Sequence, residues 1–246
     1  GAVINETDQS RILIVSMFRG LMKATMTGME TLPMQVLPAT IIIPWKDRDD
    51  RKPLFEFVLN WARCRFDQVI VAADTSPAPF CKSKLVNLAV SDARNAVVGV
   101  LDADSMVSGN QLSDSVSYAE KSGKLVYPYQ HCLRLDNEQT QLLLKQNPTS
   151  PTFECSNYVW RTKNRRLPVT PGGFILIHRD LYTQVGGMCE EFVEWGCEDN
   201  HFRDSCRKAF GHEVRFGGYL YHMFHKSNPI RPMMNQILYR AKFLRR

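Results

Sequence analysis

No apolar run in this 246-residue chain approaches the roughly 18 residues of a bilayer-spanning helix; the longest tracts, at 12–15 and 41–43, are strand sized. That reading leads to a soluble, cytoplasmic protein, with an anchor or signal ahead of Gly1 left open. The cysteines number seven, an odd count, and none forms a CxxC pair. Neither a zinc knuckle nor a full disulfide framework is indicated, and reduced thiols are the simpler account. No GxGxxG follows any candidate strand and there is no Walker lysine loop, so the usual dinucleotide and P-loop fingerprints are missing. Internal repeats and low-complexity linkers are missing too.

What is present suits one globular unit. The length fits a single α/β domain with at most an appendage, and 44% hydrophobic residues suffice for an ordinary core. A formal net charge of +6 favours acidic partners: nucleotides, nucleic acid or anionic lipid. Residues 1–38 read as an N-terminal extension with a strand at 11–18 and a Met-rich stretch at 17–34. An extra strand and helix on a sheet edge is one account of it. From Thr40 the pattern turns regular, with strands at 40–43, 69–73 and 97–101 alternating with helices at 53–65, 82–95 and 110–121. Such alternation predicts βαβ units and a parallel sheet. Residues 130–170 lose that rhythm and are polar, a glycine-started strand follows over 171–177, and a basic amphipathic helix closes the chain over 235–246.

The segment Leu101-Asp102-Ala103-Asp104-Ser105 carries the most chemical information. Val97, Val98, Val100 and Leu101 read as a buried strand, and open α/β sheets bind ligands beyond the carboxyl ends of their strands. Two carboxylates one residue apart at that place offer a hard oxygen site for Mg²⁺ or Mn²⁺ carried by a diphosphate. The plainer account is an Asp turn that caps the next helix. Residues Trp160 to Arg166 pack four cations into seven positions, either as a solvated basic loop or as a flap over phosphates or an anionic acceptor.

Four segments resemble the GT-A class of glycosyltransferases, over about residues 40–230. Ile42-Ile43-Pro44-Trp45-Lys46-Asp47-Arg48 is similar to the Ile-Pro-Phe-Arg-Asn-Arg segment of β-1,4-galactosyltransferases, which lines the uridine diphosphate site. There Pro44, Lys46 and Arg48 would meet the donor, the two cations facing its phosphates; a charged turn before a helix is the alternative. Asp74 is similar to the acidic residue that contacts the base in this class, or is a helix cap. Asp102-Ala103-Asp104 looks like the class's metal motif, which implies Asp104 as metal ligand and Asp102 on the ribose or on the metal through water.

Gly172-Gly173 followed by Trp195-Gly196-Cys197-Glu198-Asp199 resembles the Gly-Gly strand and Trp-Gly-Gly-Glu-Asp or Trp-Gly-Gly-Glu-Asn segment of polypeptide N-acetylgalactosaminyltransferases and β-1,4-galactosyltransferases. Gly173 would let backbone approach the donor sugar, and Trp195 would offer it a flat face. A plain helix start with acidic first residues is the alternative for Glu198 and Asp199. Tyr221-His222-Met223-Phe224-His225-Lys226 resembles the Gly-His-Val-Phe-Arg-Lys segment of the polypeptide enzymes, which implies His222 as metal ligand and His225 with Lys226 on the diphosphate. The chain departs from that family where it carries Asp-x-Asp in place of Asp-x-His, and where it has an Asp at position 199.

The resemblance implies a GT-A (Rossmann-like) α/β fold, a mixed, mainly parallel central sheet flanked by helices. It also implies a single domain over 1–246, with a nucleotide-binding half at 40–125, an acceptor half at 126–230 and a basic helix at 231–246. The function implied is Mn²⁺- or Mg²⁺-dependent transfer of a sugar from a nucleotide-sugar donor, a UDP-sugar, to a hydroxyl of a protein or saccharide acceptor. Asp199 would be the base and Glu198 would orient the hydroxyl or sugar, with a retaining course left open. The basic balance keeps nucleic acid, as a modified DNA base, among the acceptors. Rival readings are a nucleotidyltransferase and a catalytically silent sugar-nucleotide binding domain.

Overall fold

The computed structural model describes residues 2–6, 12–18, 36–47, 50–108, 111–153, 170–194, 196–226 and 233–243. At its centre β3 (Leu37–Lys46) lies between β4 (Phe66–Asp74) and β5 (Val97–Leu101), parallel to both. Ile41, Ile42 and Ile43 of β3 are fully buried, so both faces of the strand are covered, which is why it reads as one apolar run and does not alternate. The crossovers are α1 (Lys52–Arg63) and α2 (Lys82–Val90). Leu54, Phe57, Val58, Trp61 and Ala62 recur at helical spacing on α1 and are buried, while Pro53 sits in the first turn where its missing N–H costs nothing. Trp61 packs edge-on against Phe66 and Phe174, tying α1 to two strands of the sheet.

The main sheet has eight strands in the order β1 (Ala2–Glu6), β2 (Ile12–Phe18), β4, β3, β5, β9 (Phe174–His178), β7 (Val126–Tyr127) and β10 (Val214–Arg215). β1 and β2 extend one edge, β2 running antiparallel to β4. The strand expected at 11–18 is therefore an edge strand of this sheet; residues 19–35, with most of the Met-rich stretch, lie outside the described residues. On the other side β9 runs antiparallel between β5 and β7, and β10 pairs parallel with β7. Six of the eight strands thus point the same way: the sheet is mixed and mainly parallel, flanked by helices.

A second sheet stands beyond the end of β5. It is formed by β6 (Ser105–Val107), β8 (His131–Arg134) and β11 (Tyr219–His222), with β11 in the middle. The stretch 130–170, polar and without rhythm in the sequence, contains β8 and also α4 (Asn137–Leu144). That helix starts on a capping box, the Asp136 carboxylate accepting from the Gln139 N–H while the Gln139 amide oxygen accepts from the Asp136 N–H. Its weak apolar stripe, buried at Thr140 and Leu143, explains why periodicity alone passes over it. α3 (Leu112–Lys121), α5 (Arg179–Gln184), α6 (Glu198–Phe210) and α7 (Met233–Phe243) complete the described elements.

Candidate functional site

The two sheets meet where β5 ends. Antiparallel pairing sets Leu101 opposite Phe174, so the residues after β5 lie beside those before β9, and the Asp102 N–H donates to the Gly173 carbonyl at 2.8 Å. Antiparallel pairing of β6 with β11 sets Ser105 opposite His222, and the Met223 N–H donates to the Asp104 carbonyl at 2.8 Å. Two ladder registers therefore deliver the late histidines to the early carboxylates.

Asp104, His222 and His225 each offer a ligand atom within 4.8 Å of the others. The His222 Nε2 lies 3.7 Å from Asp104 Oδ1 and the His225 Nε2 lies 3.2 Å from Oδ2. In both rings Nδ1–H donates to a main-chain carbonyl, Met223 at 3.0 Å and Lys226 at 3.2 Å, which turns Nε2 toward the carboxylate. Two imidazole nitrogens and a carboxylate oxygen facing one another make a candidate ligand set for a divalent cation, and this mixed N/O set fits Mn²⁺ better than the harder Mg²⁺, with positions left for phosphate oxygens. Arg51, the residue before α1, also reaches the group: its Nη2 lies 2.7 Å from Asp104 Oδ2 and 2.6 Å from His225 Nε2. Burial opposes ionisation of Asp104, but His222, His225 and Arg51 outweigh it and hold the carboxyl below the usual range.

The other carboxylates gather on Lys82. Its Nζ donates to Asp102 Oδ1 at 2.7 Å and to Asp199 Oδ1 at 2.9 Å, although the residue is only 7% exposed and opens α2, where the helix dipole disfavours a cation. Burial pushes its pKa down, but Asp102, Asp199 and Glu198 outweigh that and raise it well above the ordinary lysine value. Asp199, shared with Asp102 on that one ammonium, is pushed up to about 7 by burial, with Glu198 and Asp102 adding to the rise and Lys82 opposing it. Both Glu198 and Asp199 lie in the first turn of α6, where the dipole favours acids. The Glu198 carboxylate turns back to accept the Gly196 N–H at 2.9 Å, closing a turn in which Cys197 holds φ at 72°.

Asp102, Glu198, Asp199 and His222 line a cavity of about 170 Å³ whose wall also includes Gly173 and Gln236. The glycine pair makes the close packing possible. A Cβ on Gly172 would stand 2.0 Å from Asp199 Oδ2; Gly173 has φ +96° and a Cβ there would stand 2.3 Å from a Leu220 methyl. The loop is held from behind. Tyr127 and Tyr129 hydroxyls donate to the Pro171 and Gly172 carbonyls, and Arg215 lies over the Tyr127 ring while donating to the Thr170 carbonyl at 3.1 Å.

The sequence-derived site residues divide into groups. Asp104, His222 and His225 converge, and Asp102, Glu198 and Asp199 line the cavity beside them. Asp102, read as an accessory metal contact, has its carboxylate on Lys82, while His225, read as a phosphate contact, stands among the candidate ligands. Lys46 and Asp74 are opposite one another at the ends of β3 and β4 and pair at 3.1 Å. Lys46 also donates to the Ala78 carbonyl, and Asp74 caps a turn at Ser76. Pro44 is buried in β3 and Lys226 is exposed. Arg48, Trp195 and the basic segment 160–166 lie outside the described residues. Sequence reading missed Arg51 and Lys82. A lysine opening a helix against the dipole was the available signal for Lys82; nothing local marked Arg51.

Residues 152–226 match the protein family described as the N-terminal domain of galactosyltransferase. No curated protein is a sequence match to the chain. Among solved structures, a Drosophila β1,4-galactosyltransferase 7 mutant in complex with manganese, UDP-Gal and xylobiose aligns with a TM-score of 0.53 at 16% identity, covering 83% of this chain and 80% of that one. The catalytic domain of the same Drosophila enzyme with xylobiose gives the same figures. GalNAc-T7 with UDP, GalNAc and Mn²⁺ aligns with a TM-score of 0.49 at 12% identity, over 84% of this chain and 48% of that one. At these identities the likeness to the Drosophila structures is one of fold, the GT-A arrangement.

Proposed function

We propose that the chain is a metal-dependent glycosyltransferase that moves a sugar from a UDP-sugar donor to a hydroxyl of a protein or saccharide. The observation that carries this is the convergence, from distant parts of the chain, of a carboxylate–imidazole group at Asp104, His222 and His225 with a cavity that His222 lines together with the carboxylates Asp102 and Asp199. The galactosyltransferase family match over 152–226 supports the same reading.

In this reading Asp104, His222 and His225 would hold Mn²⁺ or Mg²⁺, which when bound neutralises charge on the departing diphosphate. Asp102 faces the donor from the turn after β5. Asp199 accepts the proton of the incoming hydroxyl at its carboxylate; a pKa pushed up to about 7 suits a base working near neutrality. Glu198 fixes the turn that aims Asp199. Pro44, Lys46, Arg48, Asp74, Gly173, Trp195 and Lys226 are proposed to complete the donor site. Residues 1–246 are read as a single domain, because one main sheet takes strands from the N-terminal extension and from both halves. Among the described residues no helix is long and apolar enough to cross a membrane. The six cysteines free among the described residues fit a reducing compartment, the cytoplasm.

The test is a donor panel read by thermal shift with and without Mn²⁺, followed by nucleotide release. A UDP-sugar with Mn²⁺ at about 100 times Kd should raise the melting temperature by about 5–10 °C. Asp104→Ala should erase the metal-dependent part. A shift indifferent to Mn²⁺ would defeat the metal assignment, and tight binding with neither release nor transfer would favour the silent binding domain.

A further inference from the structure

Arg51 and a divalent metal have claims on the same atoms. The Arg51 Nη2 is within hydrogen-bond distance of Asp104 Oδ2 and of His225 Nε2, two of the three groups able to hold the ion. A nitrogen lone pair that accepts the guanidinium proton has nothing left to donate to a metal, and two cations packed on one carboxylate oxygen repel. The guanidinium is also incompletely satisfied where it lies: its Nε is buried without a hydrogen-bond partner. The charge of Asp104 holds it there, and a better acceptor would draw it away. Its side chain is 29% exposed and springs from the residue ahead of α1, which needs no side-chain cap from it. The arm is free to turn without unwinding the helix.

We propose that Arg51 is a placeholder cation: it occupies the carboxylate–imidazole group, yields those atoms to the metal, and passes its fork-shaped charge to the diphosphate that accompanies the metal. The inference rests on the metal-dependent reading of the site and adds a consequence to it. Metal alone must evict Arg51 into solvent and binds weakly. Metal together with a nucleoside diphosphate gives the evicted guanidinium a bidentate phosphate partner. Binding of the two is thereby coupled, and Arg51 is the carrier of that coupling.

The experiment measures Mn²⁺ affinity by electron paramagnetic resonance of the free ion, with and without UDP, in the wild type, Arg51→Met, Arg51→Lys and His222→Ala. Arg51→Met should bind Mn²⁺ alone about tenfold more tightly than the wild type, bind UDP in the presence of Mn²⁺ more weakly, and lose most of the coupling factor. Arg51→Lys keeps the charge without the fork, so it should hold Mn²⁺ affinity near the wild-type value and recover part of the coupling. Unchanged or weaker Mn²⁺ binding by a folded Arg51→Met protein would overturn the proposal, as would equal coupling in wild type and variant. If Arg51→Met fails to fold, Arg51→Lys with undiminished coupling would overturn it and a partial loss would support it. A wild type that binds no Mn²⁺ even with UDP, or binds it as well after His222→Ala, would overturn the metal reading itself together with this inference.

Discussion

Lys82→Met removes the ammonium shared by two carboxylates, Asp102 at 2.7 Å and Asp199 at 2.9 Å, in a place where the lysine is 7% exposed. Breaking a buried ion pair at one partner costs about 3–5 kcal/mol, because the remaining charge is left in low dielectric. For a domain of this size that is a fall in melting temperature of about 6–20 °C. The loss should depend on pH. Asp199 carries a folded-state pKa of about 7, raised by burial and by its acidic neighbours. Its protonated form therefore favours the folded state fully below its unfolded value of about 4, and that contribution is lost as pH rises through 7. Lys82 acts in the same sense, at a much higher pH. Its raised pKa gives stability present below the ordinary lysine value and lost only as pH rises through the higher folded one. Without Lys82, Asp199 escapes part of the penalty at pH 5.5 by keeping its proton, whereas at pH 8.5 both carboxylates press for ionisation unpaired. The melting-temperature deficit should be larger at pH 8.5. With Asp199 as the proposed base, transfer requires its carboxylate form, so the acid limb of the rate profile, expected near pH 7 in the wild type, should move upward by at least about one unit, or 1.4 kcal/mol. Differential scanning fluorimetry at the two pH values and a pH–rate profile test both limbs. A deficit below about 3 °C at each pH, with an unmoved acid limb, would show that Lys82 neither compensates these carboxylates nor tunes the base.

Two further predictions separate the base from the loop that aims it. Asp199→Asn should lower transfer by about 100-fold or more while the Mn²⁺-dependent donor shift in melting temperature persists; near-wild-type turnover would remove Asp199 from the chemistry. Gly172→Ala places a Cβ 2.0 Å from the present position of Asp199 Oδ2, so the carboxylate must leave Lys82. Transfer should fall with donor affinity largely kept, a loss in kcat rather than in KM. Equal loss of donor binding would mean that the glycine serves the donor directly.

The sequence showed the elements whose signal is local. Buried strands at Ile41 to Ile43 and Val97 to Leu101 read as apolar runs, and α1 read as a helix from the spacing of Leu54, Phe57, Val58 and Trp61, because these residues face a core on the period of their own element. It missed α4, whose signal is a capping box with little apolar stripe, and it extended α2 five residues beyond its end at Val90. In the candidate site, Asp104, His222 and Asp199 were singled out through the resemblance of their segments to those of glycosyltransferases. Arg51 and Lys82 were not, because each is an ordinary surface cation in its own segment and becomes a site residue through partners 53 and 117 positions away.

By itself, then, the order of residues determined the strand–helix alternation, the acidic turn at the carboxyl end of β5 and the stock of candidate ligands for a divalent ion. Tertiary structure alone decided who meets whom. Antiparallel insertion of β9 set Gly173 against Asp102, and the pairing of β11 with β6 set His222 beside Asp104. The physical reason is that ladder registers and buried charge compensation are long-range: a carboxylate's cation is chosen by the fold, from whichever chain segment the packing brings within 3 Å.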